Sequence, residues 1–98
     1  YYELTPAYDV VPTLQNLGYQ AMSVGLAGAE SSLENALTEL SEFGLKRARA
    51  VELIQQVVRV VDGWLAHFAR QGVGRADMEL LQASIDREAL RAQRRAFA

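Results

Sequence analysis

Apolar residues recur at helical spacing from position 33 onward, and this pattern predicts three helices. The first helix has an apolar face formed by Leu33, Ala36, Leu37, Leu40 and Phe43. Intervals of three and four residues are the period of an α-helix. Ser31 and Glu34 have the spacing of a capping box, so the helix is predicted to begin at Ser31. Gly44 predicts its end, because glycine commonly follows the last helical turn.

The second predicted helix runs over residues 46–71 and carries two adjacent apolar stripes. They consist of Val51, Ile54, Val58, Val61, Leu65 and Phe68, and of Leu53, Val57, Val60 and Trp64. A helix that is apolar over more than roughly 100° of its circumference is expected to lie between other elements. We therefore expect this helix to be the most buried element, with Trp64 in the core. Gly63 within it costs about 1 kcal/mol relative to alanine, which a close helix crossing or simple tolerance would explain equally.

The third predicted helix begins near Arg75, after a glycine-rich turn at residues 72–74. Its buried side consists of Met78, Leu81 and Ile85. Beyond Asp86 the apolar pattern weakens among arginines, and residues 94–98 are predicted to fray.

The first 29 residues lack helical periodicity and are predicted to be extended chain and loops. Pro6 and Pro12 each disfavour helix in the preceding residue. Residues 1–5 alternate weakly and predict a short strand, whose pairing partner would have to lie outside this sequence. The fold class predicted is therefore all-α, as one domain over residues 1–98, with an irregular segment over 1–29 and a helical part over 30–98.

Composition excludes several classes of function. Half of the residues are hydrophobic and 22% are charged, which is typical of a globular domain. The chain has no cysteine, which excludes disulfides, thiolate metal sites and cysteine nucleophiles. The single histidine, His67, cannot form a zinc site alone and is predicted to lie at the surface. No apolar run approaches the roughly 18 residues of a membrane span. The start at Tyr1, without a methionine or a signal-like segment, suggests a fragment of a longer protein.

Charge is distributed unevenly along the chain. Residues 1–45 contain six acids and no lysine or arginine, whereas residues 46–98 contain ten bases and six acids. A pI near 5.3 argues against nucleic-acid binding as the main role. Four arginines near the end form a local basic region: Arg87, Arg91, Arg94 and Arg95. The favoured interpretation is a solvated helix terminus, where cations complement the helix dipole. The alternative is contact with a partner or with a DNA backbone.

Asp9 is the most unusual acidic residue in the sequence. It lies in Leu-Thr-Pro-Ala-Tyr-Asp-Val-Val-Pro-Thr, residues 4–13, between two prolines and among apolar side chains. A buried carboxylate is costly unless it is paired, hydrogen-bonded or bound to a metal. From the residues alone, Asp9 is interpreted either as the cap of a short helical turn or as a functional acid.

The segment 4–13 resembles the L-x-P-A-Y-D-hydrophobic-x-P-T motif of HipA-like serine/threonine kinases, the toxins of bacterial toxin–antitoxin pairs. Residues 20–25, Gln-Ala-Met-Ser-Val-Gly, resemble a second stretch of that family. The similarity covers roughly residues 2–86 and implies the C-terminal helical subdomain of a protein-kinase-like fold. It also implies that Asp9 corresponds to the DFG aspartate and holds Mg²⁺ against the phosphates of ATP.

The resemblance further implies a cytoplasmic bacterial protein with two partners. These are the upstream kinase portion of the same protein and a HipB-like DNA-binding antitoxin. The chain has no glycine-rich loop and no lysine before position 46, so no catalytic or cofactor-binding residue besides the metal ligand Asp9 is expected in it. We expect the chain alone to be inactive and to cover its exposed surfaces as a homo-oligomer. The alternative is an independent helical module that binds a protein or DNA.

Overall fold

The computed structural model describes residues 3–8 and 18–98, and nearly all of its regular structure is helical. The elements are α1 (Leu33–Ala36), a 3-10 helix (Leu40–Phe43), α2 (Arg47–Asp62), α3 (Trp64–Arg70), α4 (Arg75–Ile85) and α5 (Glu88–Phe97). The predicted all-α class is confirmed. Of the expected strand at residues 1–5, the structure describes residues 3–5, which are exposed and pair with no described residue, and its predicted partner lies outside this sequence, so the strand stays a prediction. Among the described residues, no helix is long and apolar enough to cross a membrane.

The core lies where α2 meets α5 and the 33–40 region. Its buried apolar residues are Leu37, Ala50, Val58 and Phe97, with Leu33, Leu40, Leu45 and Ile54 packed around them. The predicted fraying of residues 94–98 is wrong, because α5 is continuous to Phe97 and the Phe97 ring is buried. Leu90, Arg94 and Phe97 follow one another at intervals of four and three, so one face of α5 points inward.

The first helix is broken into two short pieces. Its cap is Ser32 rather than the predicted Ser31, because the Ser32 hydroxyl accepts from the Asn35 amide at 3.1 Å. The Ser31 hydroxyl instead accepts from the Gln20 side chain at 2.9 Å. The amide and the hydroxyl of Thr38 both donate hydrogen bonds to the carbonyl oxygen of Asn35, and α1 ends at Ala36. The predicted stop at Gly44 is confirmed, with a positive φ of 65°.

The predicted single helix over residues 46–71 is wrong, because the chain breaks at Gly63 into α2, which ends at Asp62, and α3, which begins at Trp64. The Gly63 amide donates to the carbonyl of Val60, and its backbone, at φ −88° and ψ 6°, leaves the helical register. A close crossing does not explain this glycine, because a Cβ placed on it would lie 3.5 Å from its nearest neighbour, the Val60 carbonyl oxygen. Weak local helix propensity is enough to allow the break.

Only one side of α2 is covered, so the expected sandwiching of this helix is wrong. Ala50 and Val58 are buried, but Val57 and Val60 on the second stripe are 60% and 75% exposed. Trp64 at the start of α3 is buried as predicted, and its ring contacts Phe68 edge-on at 5.5 Å. The apolar width of α2 therefore exceeds what the described part of the chain can cover.

Candidate functional site

Asp9, the predicted metal ligand, lies outside the described residues. The described part of its motif, residues 4–8, is exposed throughout, and Leu4 and Tyr8 present almost their whole side chains to solvent. The second part of the family resemblance, residues 20–25, lies within the described chain. The described part of the candidate site therefore consists of that second segment and the residues that contact it.

Residues 18–31 form an irregular antiparallel hairpin, which we call the N-terminal hairpin. Two isolated bridges define it, one between Tyr19 and Glu30 and one between Gly25 and Gly28. The Gln20 amide donates to the Ala29 carbonyl at 2.7 Å, and Gly28 turns the chain with a φ of 67°. Glycine suits that turn because residues with a side chain rarely adopt positive φ.

Asn35 fastens the N-terminal hairpin to α1. Its side chain is 2% exposed and donates through Nδ2 to the carbonyls of Gly28 and Glu30, both at 2.9 Å. Its Oδ1 accepts from the Ala27 amide at 2.9 Å. Three backbone groups of the hairpin are thus satisfied by one buried amide, which is the usual condition for burying a polar side chain.

Thr38 and Gly25 complete this attachment. The Thr38 hydroxyl accepts from the Leu26 amide at 2.8 Å and donates to the Asn35 carbonyl at 2.7 Å. Gly25 is buried directly beneath these groups. A Cβ at Gly25 would lie 2.2 Å from the Asn35 carbonyl oxygen and 2.3 Å from the Thr38 hydroxyl. The last residue of the 20–25 segment must therefore be a glycine for this packing to exist.

Three large side chains of the N-terminal hairpin face solvent. Tyr19, Met22 and Leu26 are 61%, 79% and 76% exposed. Of the three, Leu26 is held by its amide's hydrogen bond to Thr38, and Tyr19 lies in the bridge with Glu30. The hairpin is therefore an ordered element with an uncovered apolar surface.

The predicted solvated basic end of the chain is wrong for Arg94. Its guanidinium, 11% exposed, donates to Asp62 at 2.7 Å and to Asp86 at 2.6 Å. It also donates to the carbonyl of Ile85, the last residue of α4, at 2.9 Å. Asp86 in turn accepts from the Trp64 indole at 3.2 Å. Arg94 therefore links α2, α4 and α5 as a structural residue.

The other arginines of α5 do not form a strong anion site. Arg95 pairs with Glu88, and this hydrogen bond, followed by the Coulomb attraction of Arg95, holds the pKa of Glu88 below its ordinary value. Arg91 is exposed, in line with the solvated interpretation. Acids and bases alternate on this surface, so no single-sign patch of the kind that binds nucleic acid is formed there.

His67 lies at the surface as predicted, with its ring 6.0 Å from that of Phe68. In the described residues no group of three histidine or acidic side chains is placed to hold a metal ion. A further open groove of about 470 Å³ separates the N-terminal hairpin from α2 and α5, with Val24, Val57, Val61 and Leu90 among its walls.

Sequence reasoning missed Asn35, Thr38 and Arg94. Asn35 and Thr38 stood among ordinary polar positions of a predicted helix, and no periodic signal distinguished them. The one sign in the sequence was that Asn35 lies between two residues of the apolar face, Leu33 and Leu37. Comparisons with protein-family models, with curated proteins and with solved structures found no match for this chain.

Proposed function

We propose that this chain is the C-terminal helical subdomain of a HipA-like serine/threonine kinase that acts in the bacterial cytoplasm. The observation that carries the proposal is the pair of motif-like segments, 4–13 and 20–25, ahead of an all-α remainder. The packing of Gly25, the last residue of the second segment, supports the proposal. A side chain at this position would overlap Asn35 and Thr38, so only glycine fits. The glycine that is part of the family resemblance is therefore also the residue that the packing at position 25 requires.

In the proposed kinase, Asp9 holds Mg²⁺ against the phosphates of ATP. One carboxylate suits this ion, which keeps several waters and takes its remaining ligands from phosphates and a second acid. The chain before position 46 contains no lysine, so the cation that pairs with the phosphates must come from elsewhere. In the proposed kinase, this cation and the catalytic aspartate belong to the upstream kinase portion. A HipB-like antitoxin is the second partner.

The test is phosphoryl transfer by the full-length protein with Asp9→Asn. We expect ATP-dependent autophosphorylation to fall by a factor of roughly 10² or more, because the metal no longer neutralises charge on the transferred group. Asp77→Asn is the matched control, since Asp77 is an exposed acid in the first turn of α4. Its activity should equal that of the wild type. Normal activity of Asp9→Asn, with both variants folded by circular dichroism, would refute the metal role.

An independent helical interaction module is the second candidate, and the apolar groove beside α2 favours it. A groove lined by valines and leucine on a small helical domain is a common form of peptide-binding site. The gene sequence upstream of Tyr1 separates the two candidates. An aspartate followed about five residues later by an asparagine supports the kinase. A start codon immediately before Tyr1 supports the module.

A further inference from the structure

The segment that contains α3 and α4, residues 64–85, leaves the rest of the fold and returns to it at one place. It begins after the helix break at Gly63 and ends before Asp86, where the chain turns from α4 into α5. We propose that residues 64–85 form a hinged helical arm, which opens as one unit while α2 and α5 stay packed on each other. This conformational change is a property of the fold and does not depend on the proposed function.

The backbone at both ends of the helical arm interrupts the helices. Gly63 lies at φ −88° and ψ 6° between α2 and α3. Asp86 lies at φ −103° and ψ 20°, and Arg87 after it is extended, at φ −60° and ψ 147°. Residues at the ends of elements are those that absorb the backbone changes of a hinge. The arm can therefore separate from α2 and α5 without a break inside either helix.

The helical arm contributes little to the buried core. The core residues lie between positions 33 and 58 and at Phe97. Trp64 is the buried residue of α3, and every residue of α4 is at least partly exposed. A segment with few buried apolar contacts opens at a lower free energy than the whole domain. The core can therefore stay closed when the arm opens.

Arg94, on α5, holds the base of the helical arm. Its guanidinium donates to Asp62, just before the first hinge, at 2.7 Å. At the second hinge it donates to the Ile85 carbonyl at 2.9 Å and to Asp86 at 2.6 Å. Asp86 also accepts from the indole of Trp64, the first residue of the arm, at 3.2 Å. Asp86 therefore connects both ends of the arm to α5, through hydrogen bonds of the stronger, charge-assisted kind.

Opening of the helical arm exposes aromatic surface. The Trp64 ring is 6% exposed when the arm is closed, and it contacts the Phe68 ring edge-on at 5.5 Å. Both rings belong to α3, so both become accessible when the arm opens. The closed arm thus conceals an apolar surface that the open state presents to solvent.

Native-state hydrogen exchange, resolved by residue with NMR, tests the helical arm. Its helices have 7 and 11 residues and are too short to persist alone in water, so their amides exchange when the arm opens. We expect the interior amides of α3 and α4 to exchange at least about tenfold faster than the core amides of α2. The two helices should share one free energy of opening and one dependence on added urea. Separate fraying of helix ends is distinguished by exchange that urea hardly changes.

Two substitutions separate opening of the arm from unfolding of the whole domain. Asp86→Asn removes the charge that holds Arg94 at the base of the arm, and the arm amides should then exchange roughly tenfold faster. Ile54→Val weakens the core, which stays packed in the open state. It should speed exchange of the α2 amides by roughly threefold or more and leave the arm amides unchanged.

Glu79→Gln is the matched control for Asp86→Asn, because it also replaces an acid by its amide. Glu79 pairs on the surface of the arm with Arg75, and both side chains are exposed. Loss of such a pair should change exchange of the arm amides by less than about threefold.

Three results would overturn the proposal. The first is equal exchange of the arm and the α2 core amides in the wild type, and the second is a different urea dependence for α3 and α4. The third is an equal acceleration of arm and α2 amides by Ile54→Val, because the chain then opens only as a whole. Unchanged exchange of the arm in Asp86→Asn would overturn the role of Asp86 and Arg94 at its base.

Discussion

Replacement of Asn35 by alanine tests whether one buried amide holds the N-terminal hairpin on the helical part. The substitution removes the two hydrogen bonds to the carbonyls of Gly28 and Glu30 and the one from the Ala27 amide. Water has little access to fill the gap, because the Asn35 side chain is almost completely buried. The Gly28 carbonyl still accepts from the Val24 amide at 2.8 Å and the Glu30 carbonyl from the Ser32 amide at 3.2 Å, whereas the Ala27 amide loses the partner that Asn35 provided.

The expected cost follows from counting these bonds. A typical intramolecular hydrogen bond contributes about 0.5–1.5 kcal/mol net, so the three together give a loss of about 2–4 kcal/mol in the free energy of unfolding. That is a large fraction of the stability of a small domain, which is about 5–15 kcal/mol. Asn35→Asp should cost at least as much at neutral pH, since an oxygen replaces the nitrogen that donates to two carbonyls.

Urea unfolding followed by fluorescence measures this loss. Trp64 is the single tryptophan of the chain, and its burial makes it a reporter of the folded core. With a urea m-value of about 2 kcal/mol/M, in the middle of the range for small proteins, the unfolding midpoint should fall by roughly 1–2 M. Gln56→Ala is the matched control, because it removes an amide from an exposed position of α2 and should change the free energy by less than about 0.5 kcal/mol.

The reasoning fails if Asn35→Ala unfolds at the same urea concentration as the wild type. It fails also if the amide hydrogens of residues 27 and 28 exchange no faster in the variant. Either result would mean that other contacts fix the N-terminal hairpin.

Three further substitutions, two of them paired with a matched control, are expected to separate buried from exposed roles. Gly25→Ala should lower the free energy of unfolding by about 2–4 kcal/mol, because its Cβ would overlap the carbonyl oxygen of Asn35. Gly63→Ala is the control: with a negative φ and space around it, this glycine should tolerate the change, and thermal melts should show no effect or a stabilisation of up to about 1 kcal/mol. Trp64→Ala should cost about 3–5 kcal/mol by chemical denaturation, and a loss under 1 kcal/mol would contradict the burial of this ring. Arg94→Ala should cost about 1.5–3 kcal/mol, because the half-buried Asp86 loses its cation and the exposed Asp62 is solvated instead. Arg91→Ala should stay within about 0.5 kcal/mol, and equal melting temperatures of the two variants would show that the Arg94 cluster contributes no stability.

Local signals in the sequence predicted the helix ends well. The glycines at positions 44 and 72 adopt positive φ where the pattern required a stop, and α4 begins at Arg75 as predicted. These features depend on the conformational range of single residues and on short-range spacing. Such information is present in a window of a few residues, so no tertiary contact is needed to interpret it.

The features that the sequence concealed depend on distant partners. Arg94 looks like its neighbours in an arginine-rich stretch, and only the positions of Asp62 and Asp86 in space distinguish it. Asn35 acquires its role from a hairpin that has no periodic pattern. The extent of α5 was underestimated because alanine and arginine fill most of its length, and Phe97 is an isolated apolar signal at the end of it.

The closing of the core by α5 has a consequence for the order in which the protein can fold during synthesis. Phe97 is made after the residues with which it packs, Leu37 and Val58, and Gln93 accepts from the Leu33 amide 60 residues earlier in the chain. Contacts of this range form only after the intervening chain has been closed into a loop. Until α5 has been made, the part of α2 that α5 covers is exposed, and this apolar surface favours aggregation of the incomplete chain.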